Sequence, residues 1–217
     1  MIKHSEAMAN ESIVELDALA LSRAIHAREL SCREVMQAYL QQIERYNPGV
    51  NALVSLCDPQ DLLAQADERD RQLDRGQSMG WMHGMPQAIK DLAATAGLAT
   101  SMGSPLFADQ VPQVDAISVA RDRASGAIIV GKSNVPEFGL GSQSYNTLFG
   151  TTLNAYDPSR VAGGSSGGAA AALALRLLPV ADGSDMMGSL RNPAAFNNVF
   201  GLRPSQGRVP YGPTPEL

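Results

Sequence analysis

Cysteine is nearly missing from this chain. Only Cys32 and Cys57 occur among 217 residues. Two cysteines at that separation form neither a disulfide framework nor a metal-ligand spacing, so both are read as reduced thiols in a cytoplasmic setting. Histidine is as scarce, at His4, His26 and His83 only. Because none follows His83, hydrolase schemes that need a histidine base late in the chain are excluded. No apolar run approaches the ~20 residues of a membrane span. The polar start, Met1 to Glu6, lacks the apolar centre of a signal peptide. Positive charge is not in excess: 17 Lys and Arg against 22 Asp and Glu leave a net charge of −5. That balance gives no electrostatic reason to expect nucleic acid or an anionic membrane as partner. Repeats and low-complexity tails are absent too. What remains is a composition of 44% hydrophobic and 18% charged residues, which buries a core instead of staying disordered.

Apolar periodicity predicts helices over 11–27, from Ser31 to about Tyr46, over 61–75, 116–125 and 168–177. Ser31-Cys32-Arg33-Glu34 has the form of a capping box, and Asn47-Pro48-Gly49 is expected to stop its helix. Short apolar runs predict strands at 52–56, 87–90, 127–130 and 178–181. Helices alternating with short strands imply an α/β fold, a mixed sheet with helices packed on both faces.

Two glycine-flanked serines stand out. Ser165 lies in Ala162-Gly163-Gly164-Ser165-Ser166-Gly167-Gly168, and Ser189 lies in Asp182-Gly183-Ser184-Asp185-Met186-Met187-Gly188-Ser189-Leu190-Arg191. Glycine lets a backbone turn sharply and approach a ligand closely. A serine hydroxyl attacks, or relays a proton, when a base is near. Lys90, closing the strand before Asp91, is the candidate base. It must be neutral to act, and burial among apolar groups lowers a lysine pKa. Asp91 is expected on the opposite face of the strand, where it does not pair with Lys90. The tight turn before Ser189 points successive N–H groups at one place, as a developing oxyanion requires. One pattern misleads. Gly126 to Ser133 matches the P-loop letter for letter. Its inner residues Ala-Ile-Ile-Val read as strand, however, and Pro136 disfavours the helix a P-loop needs. Lys132 is therefore read as structural or solvated. His83 is read as a loop hydrogen-bonding residue and Trp81 as packing.

Taken together, Gly84-x-Pro86 with Ile89-Lys90-Asp91, the Gly131 to Phe138 stretch, the glycine-serine block and Gly188-Ser189-Leu190-Arg191-Asn192-Pro193-Ala194 resemble the amidase signature family. The resemblance runs from about position 15 to the C-terminus. It implies a Ser-cisSer-Lys triad: Ser189 as nucleophile, Ser165 as proton shuttle after a cis Gly164–Ser165 peptide, and Lys90 as base. It implies an oxyanion hole from the backbone N–H groups of Met186, Met187, Gly188 and Ser189. Ser166, Gly139, Asp185 and Arg191 are expected to support the site or line the substrate pocket. Met187 departs from the family, which often has glycine there; a positive φ would cost methionine roughly 1–2 kcal/mol. Two adjacent methionines also suggest a soft apolar wall.

The resemblance further implies that residues 1–217 form the N-terminal part of a single amidase signature domain, incomplete at the C-terminus, with 1–10 a disordered leader. The implied activity is hydrolysis of a non-peptide carboxamide, with no metal and no organic cofactor. The implied partners are a small-molecule amide and either a homo-oligomer or a completing C-terminal half. Two alternatives stay open. One is an A-type component of a glutamine-dependent amidotransferase that supplies ammonia for tRNA-linked transamidation. The other is a truncated, inactive fragment or interaction module.

Overall fold

The computed structural model describes residues 12–212; the expected leader lies outside them. A helical turn at 12–14 precedes α1 (Ala18–His26). The single helix expected over 11–27 is therefore divided. Asp17 divides it, because its carboxylate accepts the Ala20 N–H at 2.8 Å and caps a new helix. Next comes α2 (Cys32–Val50), which opens on the expected capping box: Ser31 Oγ accepts from Glu34 N at 3.1 Å, and Glu34 Oε2 from Ser31 N at 2.9 Å. This helix runs through Pro48 to Val50 instead of stopping at Tyr46. In the last turn a proline removes only one intrahelical bond. Asn47 then secures the exit, its Oδ1 accepting from Ala52 N and Leu53 N at 3.0 and 2.8 Å.

Following in order are β1 (Leu53–Val54), α3 (Pro59–Asp74), β2 (Pro86–Lys90), α4 (Ile117–Ala124) and β3 (Ile128–Ser133). A small hairpin, β4 (Tyr145–Asn146) and β5 (Gly150–Thr151), leads to α5 (Gly167–Ala174) and α6 (Arg191–Phe196). The main sheet has the order β1-β3-β2, with β1 antiparallel and β2 parallel to β3. It is a mixed sheet. Alternation along its strands separates two apolar layers. Ala88, Ile128 and Val130 pack with α1, α2, α3 and α5 on one face. Ile89 and Ile129 pack with Val119 of α4 on the other.

The P-loop look-alike is strand β3, continuous through Lys132 and Ser133. Lys132 is fully buried, not solvated, and donates to Ala93 O, Thr95 Oγ1 and Thr100 Oγ1 at 2.7, 2.8 and 3.1 Å. His83 takes the Met79 N–H on Nδ1 at 3.1 Å and meets the Arg69 carbonyl through Nε2 at 3.0 Å, so it ties loop to helix. Trp81 is 55% exposed and does not pack as expected; its carbonyl is what holds the loop, accepting from Ser22 Oγ at 2.6 Å. The strand expected at 178–181 forms no ladder with any described residue. No described helix is long and apolar enough to cross a membrane.

Candidate active site

The glycine-serine block is glycine-rich because other backbone crowds it. A Cβ on Gly164 would stand 2.9 Å from the Gln143 backbone. On Gly168 it would meet the backbone of Asn134 and Ala52. Gly168 N–H in turn donates to Asn134 O at 3.2 Å. These approaches press the start of α5 against the end of β3. Ser165 and Ser166 are thereby fixed over the sheet, both 2% exposed. The Gly164–Ser165 peptide is cis.

Lys90 closes β2 on the same face as Ala88, and it too is 2% exposed. Its Nζ lies 2.8 Å from Ser165 Oγ, 2.8 Å from Ser166 Oγ and 2.9 Å from Ser184 Oγ, with the Ser184 carbonyl at 3.3 Å. Burial pushes its pKa from 10.5 down to about 8, against the opposing charges of Asp182 and Asp185. A neutral amine has two N–H groups to donate and one lone pair to accept. Three surrounding hydroxyls fit that count, and equally the three N–H groups of the protonated form, in which Nζ donates to each of them. Ser165 Oγ accepts from Lys90 Nζ and has no other hydrogen-bond partner among the described residues; once the amine is neutral, its lone pair lies within reach of the Ser165 proton. Asp91 points to the other face, as expected. It accepts from Ser101 Oγ at 2.6 Å and from the N–H groups of Ser101 and Gly103, 4.0 Å from Lys132.

The turn before α6 is organised by Asp185. Its carboxylate accepts from Gly188 N at 2.7 Å, Leu190 N at 3.1 Å, and Arg191 Nε and Nη2 both at 3.0 Å. The Arg191 guanidinium, joined by these backbone N–H groups, holds the Asp185 pKa well below the usual carboxylate range. This corrects the expected oxyanion hole. Gly188 N–H is committed to Asp185, which leaves the N–H groups of Met186, Met187 and Ser189 without a partner among the described residues. The feared strain does not arise, since the positive φ of the turn (114°) falls on Gly188 and Met187 avoids that region. Met186 and Met187 do not form a wall; they are 87% and 86% exposed.

Ser189 joins the cluster through its backbone, its carbonyl accepting the Ser166 N–H at 3.0 Å. The Ser189 hydroxyl makes no hydrogen bond to a described residue. Gly139 stands one layer back: it packs on Leu92, and Leu92 lines the cavity beside Lys90. That cavity has a volume of about 790 Å³ and is bordered by Lys90, Ser166, Asp182, Ser184, Asp185 and Leu190 among others. A smaller hollow of about 410 Å³ between the N-terminal turn and α1 offers no comparable cluster.

Two residues at the centre escaped the sequence reading of roles. Ser184 touches the lysine amine, and Asp182 Oδ1 accepts the Lys90 backbone N–H at 2.8 Å. Both sit in the quoted Asp-Gly-Ser-Asp turn. The signal that could have found them is that every polar residue of that turn faces one cavity. Among the described residues no group of histidine, cysteine and carboxylate side chains forms a metal cluster.

The sequence and fold are similar to those of known proteins. The sequence matches the Amidase family over residues 34–217. It is 46% identical over 193 residues to the A-type component of the glutamyl-tRNA(Gln) amidotransferase of Thermus thermophilus, covering 87% of this chain and 39% of that protein. It is 41% identical over 197 residues to the corresponding protein of Alkaliphilus metalliredigens, covering 91% and 40%. Among solved structures, a bacterial aryl acylamidase of the amidase signature enzymes superposes with a TM-score of 0.87 at 33% identity, covering 93% of this chain and 42% of that one. The peptide amidase of Stenotrophomonas maltophilia gives 0.78 at 37% identity, covering 84% and 39%. The chain spans about two fifths of the length of the curated relatives it matches. With its Lys90–Ser165–Ser166 cluster set on this mixed sheet, the chain belongs to the amidase family, that of the amidase signature enzymes.

Proposed function

We propose that this chain carries the reacting groups of a carboxamide hydrolase. Neutral Lys90 takes the proton of Ser165, and Ser165 takes that of Ser189. Ser189 Oγ attacks the amide carbonyl, forming a C–O bond. The N–H groups of Met186, Met187 and Ser189 stabilise the oxyanion. Ser165 returns a proton to the leaving nitrogen as the C–N bond breaks. Ammonia or amine departs at that step, and water then opens the acyl-enzyme, giving the carboxylate and restoring the Ser189 hydroxyl. Ser166 and Ser184 hold the lysine amine, and Asp185 with Arg191 holds the turn. Gly139 backs the pocket through Leu92. No metal or organic cofactor enters these steps.

One observation carries the reading: a buried lysine amine 2.8 Å from the hydroxyls of both Ser165 and Ser166. The reaction also needs the Ser189 hydroxyl to reach Ser165 Oγ. Phe200, Leu202 and Tyr211, 88%, 68% and 86% exposed, surround the cavity. They support a completing C-terminal half, or a second copy, as partner of the active form. A second reading is favoured by the curated relatives, which are A-type amidotransferase components. In it the same groups release ammonia from glutamine for a partner enzyme.

Intact-mass labelling with a fluorophosphonate tests the assignment. One adduct is expected on the wild-type chain, absent from Ser189→Ala and slowed in Lys90→Ala. An adduct that persists on Ser189→Ala overturns it. Glutaminase activity that appears only with amidotransferase partners selects the second reading.

A further inference from the structure

Among the described residues strand β2 is an edge strand, with only β3 beside it, yet all five of its residues are buried. An edge strand leaves backbone N–H groups without a ladder partner. The segment from Leu178 to Ala181, just before Asp182, forms no ladder among the described residues. A side chain acts in its place: Asp182 Oδ1 takes the Lys90 N–H at 2.8 Å. We propose that Asp182 is a positioning residue for Lys90. It fixes the lysine backbone from the open edge of β2 and, through its carboxyl charge, sets how strongly the amine holds a proton.

The proposal rests on reading Lys90 as the base. Asp182 lines the same cavity as Lys90, and its second oxygen has no hydrogen-bond partner among the described residues. The other charged groups around this centre are engaged elsewhere or lie on other elements. Asp185, from the same turn, is held by Arg191, with Arg203 at 3.5 Å. Asp91 faces Lys132 on the far side of the sheet. Lys132 on β3 and Asp122 on α4 act on Asp182 itself. Among these groups Asp182 is the strongest ionic influence on Lys90, ahead of Asp185. Burial raises the Asp182 pKa to about 6, while the Lys90 N–H and the charge of Lys132 pull it back. Its carboxyl is therefore ionised where Lys90 titrates. That charge opposes the desolvation that would otherwise drive Lys90 lower still. A base too weak for its task transfers protons poorly, and the best catalytic pKa lies near the working pH.

Only three lysines occur in the chain, Lys3, Lys90 and Lys132. A sample labelled with [6-13C]lysine therefore gives three Cε signals by NMR, that of Lys90 identified by its loss in Lys90→Met. In the wild-type full chain the Lys90 signal is expected to show its main step near pH 8 and a smaller one near pH 6 as Asp182 ionises. Asp182→Asn keeps an oxygen for the Lys90 N–H and drops the charge. The smaller step should vanish and the main step should fall by roughly one pH unit. Lys132, whose first carboxylate neighbour is Asp91, should move less. A purely structural Asp182 leaves the Lys90 step in place in folded Asp182→Asn, and that result overturns the proposal. Should the variant fail to fold, the wild-type curve decides: a Lys90 signal with no step near pH 6 overturns it equally. The titration does not depend on turnover. A shifted Lys90 beside an unlabelled Ser189 upholds the coupling and sinks only the hydrolase reading.

Discussion

Replacing Lys90 by methionine should abolish nucleophile activation and leave a pH signature in stability. Lys90 is 2% exposed, and its pKa falls from 10.5 to about 8 on folding. At 1.36 kcal/mol per unit this is a cost of about 3 kcal/mol to the folded state. The folded pKa lies below the unfolded one. Below pH 8 both states are protonated and the whole cost is present. Between pH 8 and 10.5 the folded state gives up the proton while the unfolded state keeps it, so the cost fades as pH rises. Methionine preserves most of the apolar stem. It removes the only described hydrogen-bond partner of Ser165 Oγ, a loss of about 1–3 kcal/mol. The two effects nearly offset at neutral pH, where Lys90→Met should unfold within about 2 kcal/mol of wild type. The pH dependence separates them. Urea unfolding of both proteins from pH 7 to 10.5 should show their difference moving by about 3 kcal/mol in favour of wild type. Titrations common to both proteins cancel in that difference. A difference that stays flat across the window would refute the claim that this lysine is desolvated, and with it the case for a neutral base.

Other outcomes follow from the same geometry. Labelling of wild type by a fluorophosphonate should rise with pH and reach half its maximum near pH 8, where Lys90 becomes neutral; a profile centred on pH 6 would point to another base. Gly168→Ala sets two effects against each other. Helix propensity favours alanine by about 1 kcal/mol, but its Cβ would press on the backbone of Asn134 and Ala52, and overpacking costs about 1–3 kcal/mol. The variant should be less stable in thermal melts, and a raised Tm would show that α5 does not sit where described. Asp185→Ala frees Gly188, Leu190 and Arg191, so labelling of Ser189 should be lost while far-UV circular dichroism is kept. The folded Asp185 pKa is depressed, so its stabilising contribution is whole above the ordinary carboxylate value of 3.8, fades as pH falls from there and is gone once pH has passed through the folded value. The stability difference between wild type and Asp185→Ala in urea unfolding should therefore hold steady above about pH 5 and shrink below about pH 4; a difference that stays flat on acidification would contradict this.

The chain's local signals were readable wherever local physics decides. Ser31 and Glu34 announce their capping box because both partners lie within one turn. Lys90 and Asp91 fall on opposite faces because strand side chains alternate. The P-loop look-alike gave itself away by the β-branched run Ile128-Ile129-Val130. The serine motifs marked the site because glycine clusters report close backbone approach before any fold is known. Elsewhere tertiary contacts ruled. Pro48 stays inside its helix because Asn47 secures the exit to β1. Gly188 N–H left the expected oxyanion hole because a carboxylate three residues earlier claims it. Segment 178–181 has strand-like sequence but forms no ladder among the described residues. In its place Asp182, 92 positions along the chain from Lys90, reaches the open edge of β2. Sequence alone thus marked the candidate residues Lys90, Ser165 and Ser189, since reactivity belongs to side-chain type and its immediate neighbours. Only the folded structure decided which hydroxyls surround the Lys90 amine, which N–H groups remain without a partner among the described residues and which carboxyl meets the Lys90 backbone. Hydrogen-bond partners and desolvation are set by what the rest of the chain brings within 3 Å.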